Sequence, residues 1–455
     1  MIRQSSIKTK SASRGACKLC TPLGACLAAK GIERAMPLLH GSQGCATYIR
    51  RYMISHYREP IDIASSNFSE SSAIFGGKND LHDAVRNVVT QYDPSLVLVA
   101  TTCLTETIGD DVGMFLRELA IGDRDKSELP PVVHVSTASY RGTHADGFHA
   151  AVRAVVSQLA ESSGETLGHV NLFPGMVSAA DLRYLREIAE DFEIDATVVP
   201  DYSDVLDGPA WDDYRLIPEG GTPIERIKET SRAAGSIEMT SVAAENATAG
   251  QWLEKNRGVP NQRLPLPIGV VATDKYFALL EKISGRETPK RHQMERGRLI
   301  DSYVDSHKYM FGRRVALYGE EDLVVGLASL LIETGAIPVL CASGGKSGKM
   351  REAIAAIEPN LAKEITVLDG VDHSEIEEAI EQLEPDLMIG PSKGYKTSRK
   401  LEIPLVRVGF PIHDRMGGAR MLHLGYRGAQ QLFDRIVNTI MEQKQASSAV
   451  GYTYM

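Results

Sequence analysis

Short apolar runs of β type recur along this chain, each separated from the next by a stretch of helical periodicity. That alternation constrains the fold more than any other feature. Leu81, Val85, Val88 and Val89 share one helical face, Tyr92-Asp93-Pro94 stops the helix, and residues 95–100 follow as an apolar run. Residues 130–135 form the next such run. Continuous rather than alternating apolar character predicts strands covered on both faces, as in a parallel sheet. The pattern restarts at residues 169–173, continues with a helix carrying Leu182, Leu185 and Ile188 that Ser178 is placed to cap, and reaches another strand at 195–200. A helix is expected over 222–234 and a long one over about 291–309. Strands at 314–319, 336–340, 365–368 and 386–390 then alternate with helices at 320–334, 350–357 and 374–383. Such alternation implies βαβ units with right-handed crossovers.

At roughly 150 residues per domain, 455 residues suggest about three domains. Polar breaks near 161–164 and 285–289 supply boundaries. The expected architecture is α/β, with three Rossmann-like, doubly wound domains on parallel sheets: residues 1–163, 164–287 and 288–455. A hydrophobic fraction of 43% with 24% charged residues excludes wholesale disorder. No stretch approaches the ~20 apolar residues of a membrane span, and the polar, basic start lacks the apolar segment of a signal peptide. With 50 Lys and Arg against 59 Asp and Glu, the net charge of −9 argues against a protein that coats nucleic acid. Six cysteines are too sparse for a disulfide scaffold, and five fall in the first 103 residues. A cytoplasmic protein with metal-binding or reactive thiols near its start is the expectation, with neither membrane nor nucleic acid as partner.

Cys103 follows an apolar strand and opens a helix, where N-terminal amides favour a thiolate; the alternative is a buried structural cysteine. Cys45 ends His40-Gly41-Ser42-Gln43-Gly44-Cys45, whose glycines let backbone approach a bulky ligand; the alternative is an ordinary turn. Cys17-x-x-Cys20 is half a zinc site without its other half, and Cys20 precedes Thr21-Pro22-Leu23-Gly24-Ala25, a turn that opens a helix. Cys17 and Cys26 read as structural. Cys20, Cys45 and Cys103, in three separate loops, suggest convergence on one cofactor, and soft thiolates suit iron–sulfur clusters. Gly345-Lys346-Ser347 resembles the tail of a phosphate-binding loop, but Leu340 stands where that motif needs glycine. His134, His144 and His149 lack zinc-protease spacing. Arg50, Arg51 and Arg58 read as a solvated helix face, and Asp110-Asp111 as helix-start acids.

In order and spacing, Cys20-Thr-Pro-Leu-Gly-Ala, HGSQGC, SSNFSE (65–70), FGG (75–77) and TTCLTETIGDD (101–111) resemble the nitrogenase component 1 superfamily on its β-type side. FPG (173–175), VLDGP (205–209), PEGGT (218–222), RGRLID (296–301), GFPIHDR (409–415) and GYRGA (425–429) extend the similarity over almost the whole chain. The resemblance implies three Rossmann-like domains and an α-type partner in an α2β2 heterotetramer. It also implies an iron–sulfur cluster shared between the subunits, either a P-cluster-type [8Fe-7S] centre or [4Fe-4S]. The matching β-side ligand positions are Cys20, Cys45 and Cys103, and Ser139 matches a serine that catalytic members place near the cluster. An ATP-dependent reductase (Fe) protein would supply electrons. An iron–molybdenum-type cofactor or its precursor would lie mainly in the partner. The CKLCTPLGAC start, the tract 46–70 and the GYTYM end look most like the β-type half of the scaffold on which the iron–molybdenum cofactor matures. Retention of all three cysteines and Ser139 is the ligand set of a catalytic β subunit, which could reduce dinitrogen or cleave carbon–sulfur bonds.

Overall fold

The computed structural model describes residues 17–122, 129–162 and 164–449. The break expected at 163, and the GYTYM end, therefore fall partly or wholly outside the described residues. The first sheet holds β1 (Ala35–His40), β2 (Ala64–Ser65), β3 (Leu96–Thr101) and β4 (Val132–Val135), in the order β2-β1-β3-β4. The second holds β5 (Val170–Phe173), β6 (Ala196–Val198), β7 (Gly235–Met239) and β8 (Asn261–Leu264), in the order β6-β5-β7-β8. The third holds β9 (Arg314–Tyr318), β10 (Ile337–Ser343), β11 (Thr366–Asp369), β12 (Leu387–Gly390) and β13 (Leu405–Arg407), in the order β11-β10-β9-β12-β13. Every pairing among these strands is parallel. The expected α/β architecture of parallel sheets holds.

β3 shows why its sequence is apolar throughout. Leu96, Leu98 and Ala100 point into the large core that runs on through the second and third sheets, whereas Val97 and Val99 fill a separate core with Leu81, Val85 and Leu116. Successive side chains of a strand alternate faces, and both faces here are covered by helices. The third sheet repeats this, with Val315 and Leu317 on one side and Ala316 and Tyr318 on the other.

Several elements depart from expectation. β1 was not anticipated because Pro37 sits inside it, paired with Leu98 in a strand flanked on both sides. β7, β8 and β13 were likewise unassigned. The helix expected over 222–234 is an α-helical turn, Ile224–Lys228, then a 3-10 turn, Glu229–Arg232, and the chain enters β7 directly. Ser178 does cap its helix, accepting a hydrogen bond from the Asp181 amide at 3.0 Å. The long helix spans Lys290–Met310. No helix among the described residues is long and apolar enough to cross a membrane.

One contact sets the position of the first thiol. The Thr21–Lys30 helix is buried at every residue and crosses the His144–Leu159 helix with their backbones touching. A Cβ on Gly24 would lie 1.7 Å from the His144 carbonyl oxygen, and one on Gly147 would lie 1.9 Å from that of Thr21. Only glycine at both positions permits this approach.

Candidate functional site

β1, β3 and β4 are neighbours in register, His40 opposite Thr101 and Ala100 opposite Val135, so their carboxyl ends lie side by side. From that edge the chain after β1 opens the Gln43–Tyr57 helix, with Cys45 in its first turn, the chain after β3 opens the Cys103–Ile108 helix at Cys103 itself, and the segment after β4 carries Ser139. The glycine crossing delivers Cys20, at the N-cap of the Thr21–Lys30 helix, to the same place. All four side chains line one cleft of about 480 Å³, together with Pro22, Tyr48, Ile49 and Leu104. The carboxyl edge of a parallel sheet is the usual ligand position in such folds.

Hydrogen bonds stitch the four residues together. The Ser139 amide donates to Cys103 Sγ at 3.3 Å, and Ser139 Oγ accepts from the Thr21 amide at 3.3 Å. Ser42 Oγ donates to Cys45 Sγ at 3.8 Å. Burial raises the Cys20 pKa; the Ser139 hydroxyl opposes this, and Cys103 and Cys45 nearby raise it further. By contrast, burial pushes Cys17, Cys26 and Cys341 up to about 12 each, inside cores where they behave as small apolar side chains.

The cleft suits a bulky, thiophilic group. No three His, Cys, Asp or Glu side chains among the described residues converge tightly enough for a single metal ion. The thiols instead stand around an open volume. Gly44 lines it, and a Cβ there would meet only Ser42 Oγ, at 3.7 Å, so nothing in this chain demands glycine at that position. Gly41 is different: a Cβ would strike the Thr102 side chain at 2.4 Å. Neither glycine has positive φ, so backbone freedom explains neither; close approach to Thr102 accounts for Gly41 alone.

Behind the cysteines, motifs distant in sequence brace one another. Ser66 Oγ accepts from the Gly41 amide at 3.1 Å, and the Phe68 amide donates to the Gly41 carbonyl at 3.0 Å. His40 lies between Ser66 Oγ, at 3.0 Å, and Asp110 Oδ2, at 3.1 Å, and the Gly77 amide reaches the same carboxylate at 3.2 Å. Asp110 is therefore a buried bracket and not the helix-start acid expected; Asp111 keeps that role, accepting from the Met114 amide at 2.8 Å. Sequence reasoning missed the bracket because its partners are 33 and 70 residues away.

The remaining candidates resolve as follows. Arg50, Arg51 and Arg58 are exposed, as a solvated helix face would be, though two of them are also engaged: Arg50 donates to the Ile61 carbonyl at 2.9 Å and pairs with Asp62 at 3.1 Å, and Arg58 donates to the His413 carbonyl at 3.0 Å. His144 is buried between the Leu19 amide and Glu320. Gly345-Lys346-Ser347 is no phosphate loop, because the Ser347 amide and hydroxyl both donate to Glu321, which burial pushes up to about 7. Exposed apolar side chains fringe the cleft and its neighbourhood, among them Tyr48, Leu104, Ile108 and Tyr140.

A family model described as nitrogenase component 1 type oxidoreductase matches residues 20–441, from the first cleft cysteine to near the end of the last helix. The chain belongs to the nitrogenase component 1 family. Within that family, the nitrogenase molybdenum-iron protein beta chain of Clostridium pasteurianum is 37% identical over 431 residues, 94% of this chain and 93% of that one. The nitrogenase vanadium-iron protein beta chain of Trichormus variabilis is 36% identical over 433 residues, 92% of each. A solved chain described as "Nitrogenase Cp1 at pH 6.5" superposes with a TM-score of 0.94 at 35% identity, covering 99% of this chain and 98% of that one. This chain is a β-chain-like subunit of nitrogenase component 1.

Proposed function

We propose that the chain is the β-type subunit of a cytoplasmic α2β2 nitrogenase-type complex, with Cys20, Cys45 and Cys103 as its ligands to an iron–sulfur cluster shared with the α-type partner. The observation that carries this reading is the meeting of those three thiols and Ser139 at one open cleft with apolar residues at its mouth. An open thiol-lined cleft with an apolar fringe is half of a site, and a partner chain would supply the other half. When bound, the cluster would take electrons from an ATP-dependent reductase and pass them to a larger cofactor held mainly in the partner.

The protein's own residues then act in separable ways. Cys20 is held at the N-cap of the buried Thr21–Lys30 helix, whose Thr21 amide donates to Ser139 Oγ and whose Leu23 amide donates to the Cys20 carbonyl. The Ser139 amide donates to Cys103 Sγ and the Ser42 hydroxyl to Cys45 Sγ, which orients both sulfurs. Ser139 Oγ, beside Cys20, is a harder donor that would suit a more oxidised cluster. The apolar wall of Pro22, Ile49 and Leu104 excludes water from one side. Domain boundaries near 163 and 287 belong to this reading, with the cleft built entirely by the first domain.

Retention of four donors around one cleft favours a catalytic, electron-relaying β subunit with a P-cluster-type centre. The relatives bearing the names of molybdenum-iron and vanadium-iron beta chains support the same role. The tract 46–70 and the sequence at both ends favour the cofactor-maturation scaffold as the second reading. Purification with the α-type partner, metal quantification and assay with the reductase and ATP separate them. Turnover of dinitrogen, acetylene or a thioether supports the catalytic role. Release of a cofactor that activates a cofactor-deficient enzyme, without turnover, assigns the scaffold role. A complex free of iron and sulfide overturns both.

A further inference from the structure

A second cavity, of about 460 Å³, lies on the other side of the Ser139 segment, where all three sheets meet. Gly175 follows β5, Thr240 follows β7, Glu320 and Glu321 follow β9, and Gly344 follows β10, so the cavity collects the carboxyl ends of strands from two parallel sheets. That is where open α/β sheets bind ligands.

Its charges are unevenly engaged. Every lining acid is held by the wall. Asp146 accepts from the Thr143 amide at 2.7 Å, Glu320 lies 2.7 Å from His144 Nε2, and Glu321 takes both donors of Ser347. Asp322 accepts from Thr240 Oγ1 at 2.7 Å and the Ser241 amide at 2.6 Å, and His149 faces it. The lining bases are different. Arg153 and Lys346 are exposed and have no hydrogen bond or ion pair among the described residues. Lys18 reaches only the Gly142 carbonyl, at 3.3 Å, and Arg141, 68% exposed at its side chain, makes one long ion pair with Glu106, at 4.0 Å, and lies over the Tyr140 ring. Met176, Met239, Val242 and Leu266 form an apolar side.

We propose that this cavity binds a small organic molecule bearing two or more carboxylate or phosphate groups. The four bases come from separate segments: the approach to the first helix, the loop after Ser139, the His144–Leu159 helix and the loop after β10. A singly charged ion could not satisfy them together, whereas a multivalent oxyanion could bridge them with its carbon skeleton against the methionines. Burial of Glu321, which pushes its pKa up to about 7, removes part of the opposing negative charge near neutral pH. Because Lys18 is two residues before Cys20 and Arg141 two after Ser139, a bound ligand would also tie two walls of the cysteine cleft to the third sheet. The site itself does not depend on what fills that cleft.

Titration calorimetry of the full chain, purified with its co-expressed subunits, tests this with tricarballylate and fructose 1,6-bisphosphate as probes and acetate as the monovalent control. Saturable binding of a probe is expected, weakened about tenfold by Arg153→Gln and by Lys346→Gln singly, and nearly multiplicatively in the double variant. Lys282→Gln, the same charge change on a distant exposed helix, should leave it unchanged. Binding of tricarballylate alone assigns a polycarboxylate; binding of the bisphosphate alone assigns an organic phosphate. Failure of both probes to bind, or equal affinity in the double variant, overturns the proposal. Neither result bears on iron content, so the cluster reading stands or falls separately.

Discussion

Two loops of this molecule leave the carboxyl end of a parallel strand, carry paired glycines and open a helix, yet they treat their polar groups in opposite ways. The loop after β1 is braced from behind by Ser66, Phe68 and Asp110, and this leaves Cys45 facing an open cleft. The loop after β10 turns the donors of Ser347 onto Glu321 and so closes itself. Glycine spacing alone would rank the two alike. What makes the first a candidate thiol site is which atoms the rest of the fold leaves facing open space; in the second, Ser347 is used up and Lys346 is left unpaired among the described residues.

The comparison can be broken at several points. The largest effect is expected for Gly147→Ala, which drives a Cβ into the Thr21 carbonyl oxygen. It should cost about 3 kcal/mol or more in denaturant unfolding and loosen the approach of Cys20 to Ser139. An unchanged unfolding midpoint would mean that the helix crossing does not set the cleft. Next come the thiols. Cys45→Ala and Cys103→Ala should lose most bound iron, with stability changed by less than about 1 kcal/mol because both side chains are partly or fully exposed. Cys341→Ala, inside β10, should keep its iron and lose about 1–2 kcal/mol. Equal iron in all three would refute the ligand assignment.

A smaller effect tests the closed loop. The folded-state pKa of Glu321, about 7, is raised above its ordinary 4.5, so its contribution to stability is complete below the lower value and is lost as pH rises through the higher one. Glu321→Gln should flatten that decline, on the order of 1–2 kcal/mol after solvent screening, when unfolding is compared near pH 5 and near pH 8. Parallel pH curves for the two proteins would show that this carboxyl is not titrating there. The smallest effect on folding is expected at Gly44→Ala. Its Cβ has room, and alanine favours the helix, so stability should hold or rise by up to about 1 kcal/mol while iron loading falls. Full loading would show that the space beside Gly44 is not needed by the bound group.

Much of this was legible in the chain. β3 and β12 announce themselves as continuous apolar runs because both faces of each are buried, as is β9 after Arg314, whereas β4, at the sheet edge, alternates buried and half-buried residues. Their order fixed the α/β class before any contact was known. The suspicion that Cys20, Cys45 and Cys103 meet also came from local context, each in its own turn at the start of a helix. Pro37 hides β1, and β7 is hidden by a glycine-led sequence whose Ser236 and Glu238 break its apolar run.

Sequence by itself determined the fold class and which thiols stand in ligand-like surroundings, because apolar periodicity and turn chemistry act over a few residues. The tertiary structure alone decided that those thiols share one cleft, that Asp110 serves as a buried bracket, and that Glu321 closes a loop resembling a phosphate site. Each of those outcomes depends on atoms brought together from tens to hundreds of residues apart. Packing makes that choice only after the sheets have assembled, and no local pattern records it.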